Sequence, residues 1–208
     1  MIAEYLPQLL LAWSIQLMGV VSPGPSVMLI LGVATSQGRA ASLITAFGVA
    51  CGSIILSTAT VLGLTAVLAE MADLMTLIRL AGAVYLAWLA YKAFRNAAVN
   101  PPLEMAGKSR SSALQAGING FILQVSNPKA IFFWLAIAAV GGIGNAPLPI
   151  VLLFIAGAFT NSFIGHGGYA LLLSSGPMRR LYLAFRRWIE GALGCFFLFA
   201  SFKLATAR

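Results

Sequence analysis

Hydrophobic residues in this chain come in long runs, at about residues 6–35, 41–68, 74–94, 113–140, 148–173 and 188–205. A helix needs about 20 mostly apolar residues to cross a bilayer, so each run predicts one membrane span. The short alternating segments that mark a transmembrane barrel are not the pattern here. The intervening stretches are distinct in character. Ser36-Gln37-Gly38-Arg39 reads as a turn, Glu70 to Asp73 as an acidic connection and Gly141 to Pro147 as an uncharged turn. Basic connections follow the third run (96–112) and the fifth (Arg179 to Arg187, expected in the membrane interface).

Two of the runs are interrupted. Pro23 and Pro25 in Val21-Ser22-Pro23-Gly24-Pro25-Ser26 lack an N–H, so the carbonyls of Gly19 and Val21 lose their helical donors. A bilayer tolerates irregular backbone only where it is buried in protein or lines a watery cavity. Ser126-Asn127-Pro128-Lys129 breaks the fourth run at the matching place, and such paired interruptions point to the binding site of a transporter. The expected architecture is an all-α polytopic membrane protein with six transmembrane helices, forming one membrane domain over 1–208. Residues 1–95 are one three-helix repeat, 96–112 a cytoplasmic linker and 113–208 the second repeat. Three spans per half orient the halves oppositely, giving a 3+3 inverted repeat. Leu80-Ala81-Gly82 leading to Tyr91-Lys92 has a faint echo in Ala192-Leu193-Gly194 leading to Phe202-Lys203.

Composition agrees with a membrane protein. The 208 residues are 60% hydrophobic and 9% charged, against about 25% charged in soluble domains. A net charge of +8 would suggest nucleic acid in a soluble protein, but eight of the 13 Lys and Arg residues sit in or just before the two basic connections, counting Lys92 and Arg95. Basic loops beside spans mark the cytoplasmic side, so the charge reports topology. Anionic lipid head groups, not nucleic acid, are its expected partners. Both termini then lie outside the cytoplasm, with Lys203 and Arg208 as weak contrary signals. The first run is too long for a signal-peptide core and is expected to be retained. Cys51 and Cys195 both lie in apolar runs and read as small hydrophobes rather than a redox or metal motif.

The first break supplies a natural pair of half-helix ends. Freed carbonyls near Gly19 and Val21 suit an ammonium group, and the N–H groups opening the helix after Pro25 suit a carboxylate. The alternative is a structural kink repaired by Ser22, Ser26 or a neighbouring helix. Lys129 stands deep in a span, where a charge costs about 2.5–3.5 kcal/mol. It could hold a substrate carboxylate, bind carbonyls of the broken first span, or snorkel from a shallower depth. His166, the single histidine, titrates near pH 6.5 when unperturbed and is a candidate proton relay or a neutral packing residue. Asn119, Gln124, Asn127 and Asn161 could line a passage or bond helices together. No Asp or Glu is expected inside a span; Glu190 reads as a helix-end residue paired with Arg186 or Arg187. Gly48 and Gly52 have the small-xxx-small spacing that admits a close helix neighbour.

These residues resemble a known family, the LysE/RhtB-type amino-acid exporters. Ser22-Pro23-Gly24-Pro25, then Gly38-Arg39 and Phe47-Gly48 with Gly52, is similar to its first-half signature. Leu80 to Leu86 resembles its third-span pattern, and Asn127-Pro128-Lys129-Ala130 with Phe132-Phe133 its second-half signature. The resemblance implies a six-span inner-membrane protein that exports amino acids or close derivatives, usually credited to exchange with protons. Ser26 stands where members commonly have Asn, and Ser162 where many carry Asp. The Pro-Gln-Phe that often follows the fourth span is replaced by Ala139-Val140-Gly141-Gly142.

The expected substrate site comprises Ser22, Pro23, Gly24, Pro25, Ser26, Asn127, Pro128, Lys129, Asn161 and Ser162, with His166 as proton relay. No catalytic residue, metal or cofactor is expected. The chain is not expected to be an enzyme, because an intramembrane enzyme would want a Ser/His, paired-Asp or His-Glu-x-x-His arrangement. Exporters of a metal ion or another small solute are the nearer alternatives, though a metal would want Cys, His or carboxylate ligands in the spans. With no acid to receive a cationic side chain, neutral amino acids are favoured. A homo-oligomer is compatible with this reading.

Overall fold

The computed structural model describes residues 2–70, 72–99, 112–140 and 143–206. Most of the expected 96–112 linker, and the start of the Gly141 turn, lie outside them. Eight helices follow in order: α1 Ile2–Val21, α2 Pro25–Ser36, α3 Arg39–Glu70, α4 Ala72–Val99, α5 Ala113–Ser126, α6 Pro128–Val140, α7 Leu148–Leu173 and α8 Gly176–Thr206. No strand occurs among the described residues.

Three helices are long and apolar enough to cross a membrane alone: Arg39–Gly63 of α3, α7 and α8. α1 with α2 and α5 with α6 meet the requirement only as pairs, bent by 50° and 52° at their breaks. Counting each pair as one span gives up to five spans. These counts cover the described residues; the expected third span, 74–94 in α4, begins where the side chains lie partly outside them. Large apolar side chains cover the outside, with Leu114 at 74% and Val84 and Trp188 at 71% exposure. A soluble monomer rarely presents so much contiguous apolar surface, whereas lipid accepts it.

Each break sends its two half-helices to different neighbours. Leu9, Ala12 and Ile15 of α1 join α4, α6, α7 and α8 in one apolar cluster, while Val27, Ile30 and Leu31 of α2 join Ala46, Tyr169, Leu173 and Tyr182 in another. The third helices of the two halves, α4 and α8, pack together extensively, and α3 packs on both α5 and α7. The α3–α5 contact runs backbone to backbone. A Cβ on Gly48 would fall 2.0 Å from the Gly117 carbonyl oxygen, and one on Gly120 would fall 2.3 Å from that of Thr45. The glycine spacing therefore serves close approach, as expected. Between α2 and α3, Gly38 has φ +88°, a left-handed turn that glycine adopts without strain.

The stretch Arg179 to Arg187 is not a connection but the first turns of α8, which continues unbroken to Thr206. Its Pro177 sits in the opening turn, where a missing N–H removes no helical bond. Tyr182, Arg186, Glu190, Leu193, Phe197, Ser201 and Leu204 form one buried face at helical spacing. Both cysteines are free, Cys51 half-buried and Cys195 exposed on the outer surface.

Candidate functional site

The first break spans Ser22 to Gly24. α1 closes with Ser22 N–H donating to the Met18 carbonyl at 3.0 Å. Gly24 precedes α2 in extended conformation, no side chain caps that helix, and Met28 N–H donates to the Gly24 carbonyl at 2.9 Å. Two carbonyls at the end of α1, one of them released by Pro25, find donors on other helices. Tyr169 Oη of α7 donates to Val21 O at 2.5 Å, and Lys129 Nζ of α6 donates to Ser22 O at 2.6 Å. A Cβ on Gly24 would lie 3.1 Å from both Cδ and Nζ of Lys129, so glycine leaves the path that the lysine takes. Of the sequence alternatives for Lys129, binding a carbonyl of the broken first segment is the contact formed.

The second break is a single residue. Asn127 ends α5 with φ −74° and ψ 112°, and its Oδ1 accepts the Lys129 backbone N–H at 3.0 Å. One side chain thus supplies the cap that the first break lacks. The Asn127 amide reaches across to Ser26 Oγ at 3.4 Å, joining the two breaks.

From Ser26 a polar chain crosses the protein. Ser26 donates to Gln124 Oε1 at 3.3 Å, Gln124 Nε2 to Ser53 at 3.2 Å, and Ser53 to Ser162 at 3.0 Å. Ser162 Oγ lies 3.2 Å from His166 Nδ1, which is also 3.0 Å from the Ser162 carbonyl. All six side chains are buried, counting Asn127, Ser26, Gln124, Ser53, Ser162 and His166. A buried network satisfied in this way fixes the relative positions of α2, α3, α5 and α7.

Two cavities meet at the breaks. One of about 40 Å³ is lined by Gln16, Val27, Gln124, Phe133 and His166, and another of about 190 Å³ by Tyr85, Trp88, Lys92, Asn96 and Glu190. Ser22, Gly24, Pro25, Asn127 and Lys129 line both. Of the other expected residues, Ser26 and His166 face the smaller cavity, and Pro23 and Pro128 the larger. Asn161 and Ser162 line neither. Asn161 donates to Trp13 O at 2.9 Å and Gln16 Oε1 at 3.1 Å, bonding α7 to α1, and Ser162 belongs to the polar chain. Asn119 is exposed on α5, bonded to Gln115. A water needs roughly 10–15 Å³ of such volume, so the smaller cavity suits a few waters and only the larger a small solute.

Glu190 departs most from expectation. It lies in the middle of α8 at 2% exposure, rather than at a helix end, and lines the larger cavity. Its pairing with Arg186 is present at 3.9 Å, and Asn96 Nδ2 of α4 donates to it at 3.1 Å. A buried acid therefore does exist in a membrane-length helix. Its signal in the sequence is that it follows Arg186 by one helical turn, inside an otherwise apolar run, and is the only acidic residue after Glu104. Lys92 and Asn96 were also missed, because nothing in α4 alone shows which face meets α8. Among the described residues no group of three or more His, Cys, Asp or Glu is placed to hold a metal ion.

The family model of the LysE type translocator matches residues 17–208, which include both breaks and the lining of the two cavities apart from Gln16. The chain belongs to the LysE type translocator family. LysE type translocators are transporters, not enzymes, and this one has the apolar helices of a membrane protein. It is 28% identical over 204 residues to the threonine efflux protein of Salmonella typhimurium, covering 91% of this chain and 92% of that protein. The threonine efflux protein of Escherichia coli is 28% identical over 197 residues, with the same coverage of 91% and 92%. The leucine efflux protein of Klebsiella pneumoniae is 27% identical over 193 residues, covering 89% of each. No solved structure matches the chain.

Proposed function

We propose that this LysE type translocator exports small neutral amino acids or close derivatives from the cytoplasm, with the paired breaks as its substrate site. The observation that carries the reading is the meeting of Pro-Gly-Pro and Asn-Pro-Lys at one place, with Lys129 bound to the Ser22 carbonyl between two cavities. The substrate sits in the larger cavity beside Lys129, and release of Lys129 from Ser22 opens the way towards the smaller one. The names of the threonine and leucine efflux relatives support the substrate class.

The same reading makes each bent pair a single span and includes α4 as a span, giving six in a 3+3 inverted repeat. Three similarities support it: the near-equal bends of 50° and 52°, the packing of α4 on α8, and the paired contacts α3–α5 and α1–α7. The protein lies in the inner membrane with both termini outside, the orientation that puts the basic stretches in the cytoplasm. Residues 1–95 and 113–208 are the repeats and 96–112 the cytoplasmic linker. Export runs in exchange for protons, with His166 as relay, because His166 borders the small cavity and can exchange with water there. Gln124 interrupts the polar chain as a proton wire, since an amide does not readily pass a proton on; the chain instead holds His166 in place.

The test is an export panel. Cells expressing the protein are fed dipeptides and each extracellular amino acid is measured against cells carrying an empty vector. Neutral amino acids should accumulate first. Preferential release of lysine or arginine would overturn the selectivity, and no release of any amino acid would overturn the function. Export unaffected by both a collapsed proton gradient and His166→Ala would remove the proton arm.

A further inference from the structure

We infer that Glu190 receives the ammonium group of the transported solute, while Lys129 and Lys92 receive its carboxylate. The larger cavity thus selects a zwitterion that carries no further positive charge. The inference rests on the amino-acid reading and deepens it.

Glu190 and the two lysines line the same cavity of about 190 Å³. That is below the roughly 300–1,000 Å³ of drug-sized pockets, so the occupant is a small molecule. The carboxylate is 2% exposed but only lightly compensated. Asn96 hydrogen-bonds Oε1 at 3.1 Å, and Arg186 reaches the same oxygen at 3.9 Å, beyond hydrogen-bond length. Among the described residues neither contact engages Oε2. A buried carboxylate is costly unless it is paired and hydrogen-bonded, and the ammonium of a bound amino acid completes its shell.

Lys129 stands on α6 and Lys92 on α4, with Lys92 Nζ held 5.1 Å above the Trp88 ring. Two ammonium groups and one carboxylate facing a single small space complement a solute with separated charges. A second cation on the solute would meet Lys92 and Lys129 without a partner, because Glu190 is already engaged. Specificity of this kind comes from like-charge repulsion as much as from attraction. A purely structural Glu190, serving only to tie Asn96 to α8, would confer no such preference.

The experiment uses the full-length protein in lipid nanodiscs and measures binding of three probes by titration calorimetry. The probes are threonine, its hydroxy-acid counterpart in which a hydroxyl replaces the α-ammonium, and lysine. Wild type should bind threonine about tenfold to a hundredfold more tightly than the hydroxy acid, the range for loss of a charged hydrogen bond. Lysine should be weaker than threonine. Glu190→Gln should weaken threonine by a similar factor and leave the hydroxy acid unchanged, so that the preference disappears. Glu190→Asp should restore part of it. Retention of the full wild-type preference by a folded Glu190→Gln protein would overturn the assignment. If that variant cannot be extracted folded, wild type alone decides, since equal affinity for threonine and the hydroxy acid would overturn it. A wild type that binds none of the probes and exports no amino acid would remove the functional reading and this inference with it.

Discussion

The two breaks look alike in the sequence and differ in how they are held. At Asn127 one side chain does the repair, accepting the Lys129 N–H and donating to Ser26. At Pro-Gly-Pro no local side chain caps the opening helix, and the freed carbonyls depend on Tyr169 and Lys129 from other helices. The second break is therefore a platform held by its own side chain, and the first is held by contacts from other helices, which under the proposed function a substrate would replace. Lys129 belongs to the platform by its backbone and to the first break by its ammonium. A lysine costs about 2.5–3.5 kcal/mol at the centre of a bilayer, which its bond to the Ser22 carbonyl and the adjoining cavities offset.

The comparison breaks most completely if the platform is moved. Gly48→Leu would drive a side chain into the Gly117 carbonyl and push α5 away from α3. A cost of about 3 kcal/mol, the upper end for overpacking, should appear as loss of the monodisperse peak on size-exclusion chromatography. Next comes Lys129→Met, which removes the bond to Ser22 without disturbing the Asn127 cap. Export should fall by about tenfold or more, as for a lost charged hydrogen bond, with the amount of protein in the membrane unchanged. Normal transport by this variant would instead make Lys129 a snorkelling side chain.

Tyr169→Phe removes the donor to Val21. Its expected effect is two- to threefold on export, since single hydrogen bonds between membrane helices average about 0.6 kcal/mol. Ser26→Ala should have the smallest effect, under about twofold, because its bonds to Gln124 and Asn127 at 3.3 and 3.4 Å are long. If Ser26→Ala proved more damaging than Lys129→Met, the assignment of platform and mobile partner would have to be reversed.

Proline made the breaks legible, because its missing N–H is a local property that no packing can restore. The glycines of α3 were legible for a similar reason, as their spacing matters only if a backbone comes close. Which way a polar side chain points was not. Asn161 and Ser162 are one residue apart, hence about 100° apart around α7, and reach α1 and α3 respectively. Neither destination follows from the sequence, since the orientation of α7 is set by its partners. Glu190 was misplaced because the arginines before it resemble a loop; the helix continues through them, and burial puts the acid against α4. The proposed preference for neutral amino acids, first argued from a missing acid, is argued instead from Lys92, Lys129 and Glu190 lining one cavity.

The central claim, that the paired breaks form the transport site for an amino acid, is tested most directly by restoring the first helix. Cells expressing wild type or the Pro23→Ala/Pro25→Ala double variant are fed threonine-containing dipeptides, and extracellular threonine is followed over time. Alanine is favoured over proline by about 3 kcal/mol in a helix interior, enough to let α1 run on into α2. Wild type should release threonine well above the empty-vector level, while the double variant, present in the membrane in equal amount, should release about tenfold less. Equal release from the two proteins would contradict the account.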